Sequence, residues 1–165
     1  MRLAIVGSVQ LHEHPEAYQI VYQAFERYQP TVLISGGAIG IDTMAEKEAK
    51  RRDVALLIHR PKIKAWLRGS EDGFWGRNRR IAQDCDGLVR IACSWSSTYG
   101  SGWTRDQARL AGKWTKEHVV VAPAAMACRK CQEPMQPHIQ YLPITPTILW
   151  YSQCGWQEEI PLRTA

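Results

Sequence analysis

Apolar and polar residues follow one another in blocks that predict a β-α-β-α-β order over the first sixty residues of the chain. Short apolar runs are typical of buried strands, and apolar residues at helical spacing are typical of amphipathic helices. The predicted strands cover residues 2–6, 31–34 and 54–58, and the predicted helices cover 15–28 and 41–52. Strands that alternate with helices indicate a parallel sheet with right-handed crossovers.

The same pattern continues after a long connection from His59 to Gly76. A loop of this length in a compact domain is more often functional than idle. Beyond it we predict a helix over 76–85, a strand over 87–92, a polar loop over 93–103, a helix over 104–111 and a strand over 118–122. The sequence therefore predicts an α/β fold with a mainly parallel central sheet over residues 1–123.

The composition changes at Ala124: prolines follow at 134, 137, 143 and 146, and two β-like runs cover 139–142 and 147–152. Residues 124–165 are thus expected to form a small β-rich C-terminal appendage, separate from the domain formed by residues 1–123. An alternative is that this segment adds strands to the main sheet.

Composition narrows the class of protein. The chain has 165 residues and 45% hydrophobic residues, enough for one α/β domain with a real core and a small appendage. No apolar run approaches the roughly 20 residues that cross a bilayer, and the first residues do not form a signal peptide. Five irregularly spaced cysteines do not fit a secreted disulfide framework. We therefore predict a cytoplasmic protein with no membrane partner.

Charge and aromatic content point to anionic partners. The formal net charge is +5, and basic residues are concentrated between Lys47 and Arg80. This balance favours nucleotides or nucleic acid. Most of the seven tryptophans are expected to pack in the core. The loop-like stretches hold Trp66, Trp75, Trp95 and Trp103, whose rings could stack on bases.

The most informative stretch is Leu33–Asp42, which predicts a buried strand, a glycine-rich turn and the start of a helix. Glycines allow positive φ and close approach of a ligand to the backbone. Unpaired amides at a helix start attract anions, so we expect the amides of Gly36 and Gly37 to hold a phosphate group. The alternative is a tight strand-to-helix turn with no ligand.

Four loops leave the carboxyl ends of predicted strands, where open parallel sheets bind their ligands. They begin at Gly7-Ser8, at Ser35-Gly36-Gly37, at His59 and at Ser94. No Gly-x-Gly-x-x-Gly follows the first strand, and there is no Walker lysine loop. The convergence indicates a nucleotide-like site of another kind.

These blocks resemble the SLOG superfamily, which includes the SMF/DprA DNA-processing proteins, the Lonely Guy phosphoribohydrolases and stand-alone YspA-like nucleotide sensors. The resemblance rests on Ala4–Ser8, Leu33–Asp42, Arg77-Asn78 and a later Ser/Gly/Thr loop, and it covers about residues 1–123. It implies a Rossmann-like three-layer fold whose glycine loop holds the phosphate of a nucleotide. It also implies that a second subunit of a homo-oligomer covers the pocket.

The candidate ligand-binding residues follow from these loops. Arg77 could neutralise a phosphate and Asn78 could fix a ribose or base, or both could be solvated residues at a helix start. Asp42 could accept ribose hydroxyls or act as a base, or it could cap its helix. The full set is Gly7, Ser8, Ser35, Gly36, Gly37, Gly40, Asp42, Arg77, Asn78, Ser101, Gly102 and Thr104.

The chain departs from the family pattern at three places. Val9 stands where related sequences commonly have an arginine, and Trp103 replaces a glycine, where it could block the pocket or provide a stacking platform. Gln107 occupies the glutamate position of the phosphoribohydrolases, with Asp106 one residue early. The hydrolase signature is therefore absent, and Asp42 and Asp106 are the remaining candidates for catalysis.

The C-terminal segment has the outline of a small zinc ribbon with one cysteine pair missing. Cys128 and Cys131 form a Cys-x-x-Cys turn, and Cys154 follows later. With His138 as a fourth ligand these residues could bind a structural zinc ion. The sequence predicts no other cofactor.

Three functions fit these observations. The first is binding of a nucleotide or nucleotide-derived ligand, as a sensor. The alternatives are hydrolysis of a nucleotide, as in N-glycosidic cleavage by the phosphoribohydrolases, and single-stranded nucleic-acid binding of the DprA type.

Overall fold

A five-stranded parallel sheet forms the centre of the protein in a computed structural model that describes residues 1–96 and 99–162. Its strands are β1 (Arg2–Gly7), β2 (Val32–Ser35), β3 (Ala55–Ile58), β4 (Gly87–Cys93) and β5 (Trp114–Val120). Their order in the sheet is β3-β2-β1-β4-β5, and every neighbouring pair is parallel. The order reverses between β1 and β4, which makes the carboxyl end of β1 a topological switch point.

Four helices cover the two faces of this sheet: α1 (Pro15–Tyr28), α2 (Ile41–Arg51), α3 (Phe74–Asp84) and α4 (Tyr99–Leu110). Side chains of a strand alternate between faces. In β1, Leu3 and Ile5 join the apolar cluster with α1 and α2, whereas Ala4 and Val6 join the cluster with α3 and α4. The predicted Rossmann-like three-layer α/β fold is therefore confirmed.

The two largest differences between predicted and observed boundaries in this layer are at the starts of α4 and β5. Helix α4 includes Tyr99–Trp103, which we predicted as loop because Gly100 and Gly102 disfavour a helix. Gly100 lies against the ring of Trp66, and a Cβ there would be 2.9 Å from that ring, so this position of the helix requires a glycine. Strand β5 starts at Trp114 rather than at 118, and its start was missed because the polar residues Thr115, Lys116 and Glu117 of this edge strand lack an apolar pattern. Residues 97 and 98 of the predicted polar loop lie outside the described residues.

The C-terminal segment forms a separate antiparallel sheet of three strands, β6 (Gln136–Gln140), β7 (Thr147–Tyr151) and β8 (Gln157–Pro161). The small β-rich appendage is thus confirmed, and it does not extend the main sheet. The sequence did not predict β8, because Gln-Glu-Glu lacks the apolar pattern of a strand.

The small sheet packs on the face formed by α1 and α2. Ile139, Ile148 and Trp150 belong to the same apolar cluster as Tyr18 of α1, and the rings of Tyr18 and Tyr141 meet edge to face at 5.2 Å. The division of the chain after residue 123 stays a prediction, since the apolar core is continuous across it. Within residues 1–96 and 99–162, none of the helices has the length and apolar character needed to cross a bilayer.

Candidate functional site

A cavity of about 190 Å³ lies at the carboxyl end of β1, between the first turns of α2, α3 and α4. This is the switch point of the sheet. Its lining residues are Val6, Gly7, Ser8, Val9, Ala38, Asp42, Trp66, Arg77, Asn78, Ile81, Tyr99, Gly100, Ser101 and Thr104.

The glycine-rich turn beside the cavity is occupied by groups of the protein itself. The amides of Gly36 and Ala38 donate to Asp42 Oδ2 at 3.1 and 3.3 Å, and the amide of Gly37 donates to Ser35 Oγ at 3.0 Å. The prediction that the amides of Gly36 and Gly37 are available for a phosphate is therefore wrong. The turn does surround an anion, but that anion is the carboxylate of Asp42.

Asp42 is 5% exposed and lines the cavity. Burial raises the pKa of its carboxyl group to about 6, although the nearby Arg77 and the two amide donors favour the charged form. A carboxyl group that titrates near neutral pH in a cavity has the property expected of a proton donor or acceptor. Asp42 thus stabilises the turn and also presents a titratable group to the cavity.

Arg77 places a buried cation next to the cavity. Its side chain is 11% exposed, and Nη1 donates to the carbonyl oxygen of Gly36 at 2.8 Å and lies 4.0 Å from Asp42 Oδ2. The buried Nε has no hydrogen-bond partner among the described residues. Desolvation lowers the pKa of the guanidinium group, and the charge of Asp42 opposes this shift. An anionic ligand in the cavity would compensate for the lost hydration of this cation.

Polar side chains from α3, from α4 and from Ser8, which follows β1, also line the cavity. Asn78 Nδ2 donates to the carbonyl oxygen of Gly100 at 3.3 Å and so joins α3 to α4, and Thr104 Oγ1 donates to the same oxygen at 2.8 Å from within α4. Ser101 Oγ accepts from Arg90 Nε at 3.2 Å. Ser8 Oγ accepts the amide of Gln10 at 3.3 Å, at the start of the 3₁₀ turn Val9–Leu11.

Aromatic rings form one side of the cavity mouth. We call this group the aromatic wall; it consists of Trp66, Phe74, Trp75, Tyr99 and Trp103, and its neighbouring ring centroids are 4.4 to 6.4 Å apart. Trp66 and Tyr99 line the cavity and are 48% and 60% exposed. Trp75 and Trp103 lie on helices rather than in loops, and they contact each other at 4.4 Å. Trp103 therefore belongs to the aromatic wall but lies outside the cavity lining, and it does not block the cavity.

Seven of the twelve predicted ligand-binding residues line the cavity: Gly7, Ser8, Asp42, Arg77, Asn78, Ser101 and Thr104. The other five, Ser35, Gly36, Gly37, Gly40 and Gly102, lie outside its lining. Gly40 has φ 94°, and a Cβ there would be 2.5 Å from the carbonyl oxygen of Ser8, so this glycine allows α2 to start close to β1.

Asp106, the second candidate for catalysis, lies apart from this cavity. Its side chain is 53% exposed and forms an ion pair with Arg105 at 2.8 Å. The structure thus does not bring Asp106 together with Asp42.

Sequence reasoning missed Tyr99 and did not include Trp66 in the set of candidate ligand-binding residues. A signal was present in the sequence, since Tyr99 and Trp66 are aromatic residues in segments that follow β4 and β3. The apolar lining residues Val6 and Ile81 gave no signal of their own, because core strands and helices contain such residues everywhere.

The C-terminal segment holds a second cluster of potential ligands. The Sγ atoms of Cys128, Cys131 and Cys154 lie within 4.8 Å of one another and could hold a metal ion. His138 is not among them: its Nδ1 lies 3.1 Å from Oε2 of Glu13, the residue that precedes α1 by two positions. The prediction of His138 as the fourth ligand is therefore wrong, because β6 places this side chain against the main domain.

Comparisons with known proteins support the fold alone. No protein-family model matches the chain, and no curated protein matches it. Among solved structures, the X-ray structure of DNA processing protein A (DprA) from Streptococcus pneumoniae is similar, with a TM-score of 0.53 and 21% sequence identity. The match covers 76% of this chain and 51% of that chain, so it spans about half of the DprA structure. This likeness shows the fold, and both the SLOG resemblance and the YspA-like assignment stay predictions.

Proposed function

We propose that this protein binds a nucleotide or a nucleotide-derived ligand in the cavity at the end of β1, as a sensor. The observation that carries the proposal is the combination, at the switch point of the sheet, of a buried cation and an exposed aromatic surface. Arg77 supplies the cation, and Trp66 and Tyr99 supply the surface. A cation of this kind binds a phosphate group, and an aromatic surface stacks on a base.

The phosphate-binding groups differ from those expected from the glycine turn. Since Asp42 and Ser35 already accept the amides of that turn, the phosphate requires other donors. Arg77 and Asn78 of α3 line the cavity, together with Ser101 in the first turn of α4. A helix start carries a partial positive charge that favours anions.

The size of the cavity decides how much of the ligand it encloses. Sites for drug-sized ligands usually measure about 300–1,000 Å³, so a volume of about 190 Å³ is too small for a whole nucleotide. It suits a ribose-phosphate moiety. The base would then lie at the mouth against Trp66 and Tyr99, where stacking is worth about 1–3 kcal/mol.

Isothermal titration calorimetry with the four common nucleoside 5′-monophosphates, their nucleosides and ribose 5-phosphate tests this assignment. We expect phosphate-bearing ligands to bind the unmodified chain and Arg77→Gln to weaken that binding by tenfold or more. Arg79→Gln is the matched control, because Arg79 lies on the same helix but its exposed side chain contacts Glu71. Equal affinities for Arg77→Gln and the unmodified chain would contradict the proposal.

Nucleic-acid binding is a second candidate, because the exposed rings lie next to a basic connection. The segment between β3 and α3 contributes Arg60, Lys62, Lys64 and Arg68 beside Trp66. The likeness to a DNA-processing protein also favours this candidate. Fluorescence anisotropy of a labelled oligothymidylate would distinguish it: a nucleic-acid binder loses affinity steeply as salt rises, with a slope of about −0.7 per phosphate contact.

Hydrolysis is a third candidate, supported by the position and titration of Asp42. A cavity-lining carboxyl group with a pKa of about 6 could exchange a proton with a nucleotide. Chromatography of nucleotides incubated with the protein would show release of a free base or phosphate. If Asp42→Asn retains the same release, Asp42 is not the acid or base.

A further inference from the structure

Three thiols from two separate turns meet at the edge of the small sheet. Cys128 and Cys131 precede β6, and Cys154 lies in the turn between β7 and β8. The Sγ atoms of Cys128 and Cys154 are 3.7 Å apart, and all three sulfurs lie within 4.8 Å of one another. In a tetrahedral zinc site with Zn–S bonds of about 2.3 Å, neighbouring sulfurs are about 3.8 Å apart. The cluster therefore already has the dimensions of such a site.

One of these sulfurs accepts a backbone amide from the residue two positions further along the chain. Lys130 N–H donates to Cys128 Sγ at 3.4 Å. Amide donors stabilise the negative charge of a thiolate, which is the form that binds metals. Hydrogen bonds of this kind orient the ligands of a metal centre.

The two turns also share their backbone conformation. The residue after Cys131, Gln132, has φ 63°, and the residue after Cys154, Gly155, has φ 82°. A left-handed conformation is unfavourable for glutamine, so its presence indicates that the turn around Cys131 is imposed by its surroundings. Backbone hydrogen bonds close both turns, from Gln132 N–H to the carbonyl oxygen of Cys128 at 2.8 Å and from Gly155 N–H to that of Ser152 at 3.1 Å, so the protein itself holds the cysteines in place.

We propose that Cys128, Cys131 and Cys154 bind one Zn²⁺ ion as three thiolate ligands, with a water molecule as the fourth. Ser152 Oγ lies 3.0 Å from Cys154 Sγ and also hydrogen-bonds to the backbone of Trp156, so it fixes the turn that carries Cys154. Within the described part of the chain no other His, Cys, Asp or Glu joins the group, so the fourth ligand is not one of these side chains. Thiolates favour Zn²⁺ over harder cations such as Mg²⁺ or Ca²⁺.

The ion would tie the segment before β6 to the turn between β7 and β8. A sheet of three short strands has little apolar core of its own, and a bound metal stabilises small units of this kind. The centre lies in the appendage, whereas the cavity lies at the end of β1. The proposed metal centre is therefore independent of the nucleotide site.

Metal analysis of the full chain tests the proposal. After reconstitution with Zn²⁺ under reducing conditions and buffer exchange, we expect one zinc ion per chain by mass spectrometry of the metal. Cys131→Ser and Cys154→Ser should each lose most of it. Two control variants should keep the zinc ion: Cys85→Ala, which changes a core thiol outside the cluster, and His138→Ala. Loss of zinc in His138→Ala would overturn the ligand set.

Substitution with Co²⁺ tests the unmodified chain and does not depend on how the variants fold. Three thiolate ligands predict intense thiolate-to-cobalt charge-transfer bands and the strong visible bands of tetrahedral cobalt. Chelation of zinc should lower the Tm of the unmodified chain but leave that of Cys154→Ser unchanged. Absence of the cobalt bands, or a disulfide between Cys128 and Cys154 in the reconstituted protein, would overturn the proposal.

Discussion

The guanidinium group of Arg77 fills the space that a side chain at Gly36 would occupy. Nη1 of Arg77 donates to the carbonyl oxygen of Gly36 at 2.8 Å, and a Cβ built on Gly36 would lie 1.9 Å from that nitrogen. The glycine turn is therefore shaped to admit a cation from α3. This contact explains the pairing of the turn with Arg77, which lies 41 residues further along the chain.

Gly36→Ala should displace Arg77 and weaken nucleotide binding by tenfold or more. The new Cβ would also lie 2.9 Å from Asp42 Oδ2, so we expect a loss of about 1–3 kcal/mol of unfolding free energy through overpacking. Calorimetric titration and urea denaturation measure the two effects. Unchanged affinity would show that the position of Arg77 does not matter for the ligand.

Gly102→Ala is the control for this substitution. Gly102 lies in α4, and a Cβ there would be 3.5 Å from the nearest atom, an ordinary contact with Arg90. Replacing a helical glycine with alanine stabilises a helix by about 0.5–1 kcal/mol. We expect a small gain in stability and no change in ligand affinity.

The pH dependence of stability should reveal the buried carboxyl group of Asp42. Its pKa is raised from about 4 to about 6, so folding favours the protonated form, and this contribution is lost as pH rises from about 4 through 6. As pH rises over this range, the unmodified chain should therefore lose unfolding free energy relative to Asp42→Asn. The expected size is on the order of 3 kcal/mol, measured by urea denaturation at a series of pH values.

Comparing the unmodified chain with Asp42→Asn isolates the contribution of Asp42 to the pH dependence, because other carboxyl groups, such as those of Glu48 and Glu117, are present in both proteins. Their pKa values are lowered by neighbouring arginines despite burial, so they act in the opposite direction. Parallel stability curves for the unmodified chain and Asp42→Asn would exclude a raised pKa at this site.

Trp66→Ala should weaken the binding of nucleotides but not that of ribose 5-phosphate. Stacking of a base on an aromatic ring contributes about 1–3 kcal/mol, which corresponds to a loss of roughly 5- to 150-fold in affinity. Trp114→Phe is the control, since Trp114 packs on Tyr28 at a different edge of the sheet. Equal losses for both ligands would mean that Trp66 shapes the cavity and does not contact the base.

Tyr18→Phe should destabilise the protein by about 1–3 kcal/mol. The hydroxyl group of Tyr18 donates to Glu48 Oε2 at 2.5 Å, and both side chains are fully buried. Removing the donor leaves a buried carboxylate with one hydrogen bond fewer. Tyr22→Phe, on the same helix, should change the unfolding free energy by about 0.5 kcal/mol or less, as measured by urea denaturation.

The strands and helices of the main domain were predictable because their signals are local. Buried strands such as β2 appear as short apolar runs, and α1 shows both its starting proline and its helical spacing. Strand β8 and the first turn of α4 were not predictable, since tertiary packing overrides their polar or glycine-rich sequences.

The candidate site was predictable as a set of loops but not as a set of contacts. The spacing of Gly36, Gly37 and Gly40 correctly indicated a tight turn before a helix. It could not show that Asp42 folds back onto the amides of that turn, because a phosphate and a carboxylate satisfy the same donors. Likewise, the spacing of the cysteines predicted their cluster, whereas the side-chain direction of His138 depends on the packing of β6.

The aromatic wall also provides an intrinsic tryptophan fluorescence signal for binding in the cavity. Three of the seven tryptophans, Trp66, Trp75 and Trp103, lie within contact or short energy-transfer distance of one another at the cavity mouth. Trp66, which is half exposed, is the member whose surroundings a bound base would alter most. Occupancy of the cavity should therefore quench or shift the intrinsic emission of the unlabelled chain.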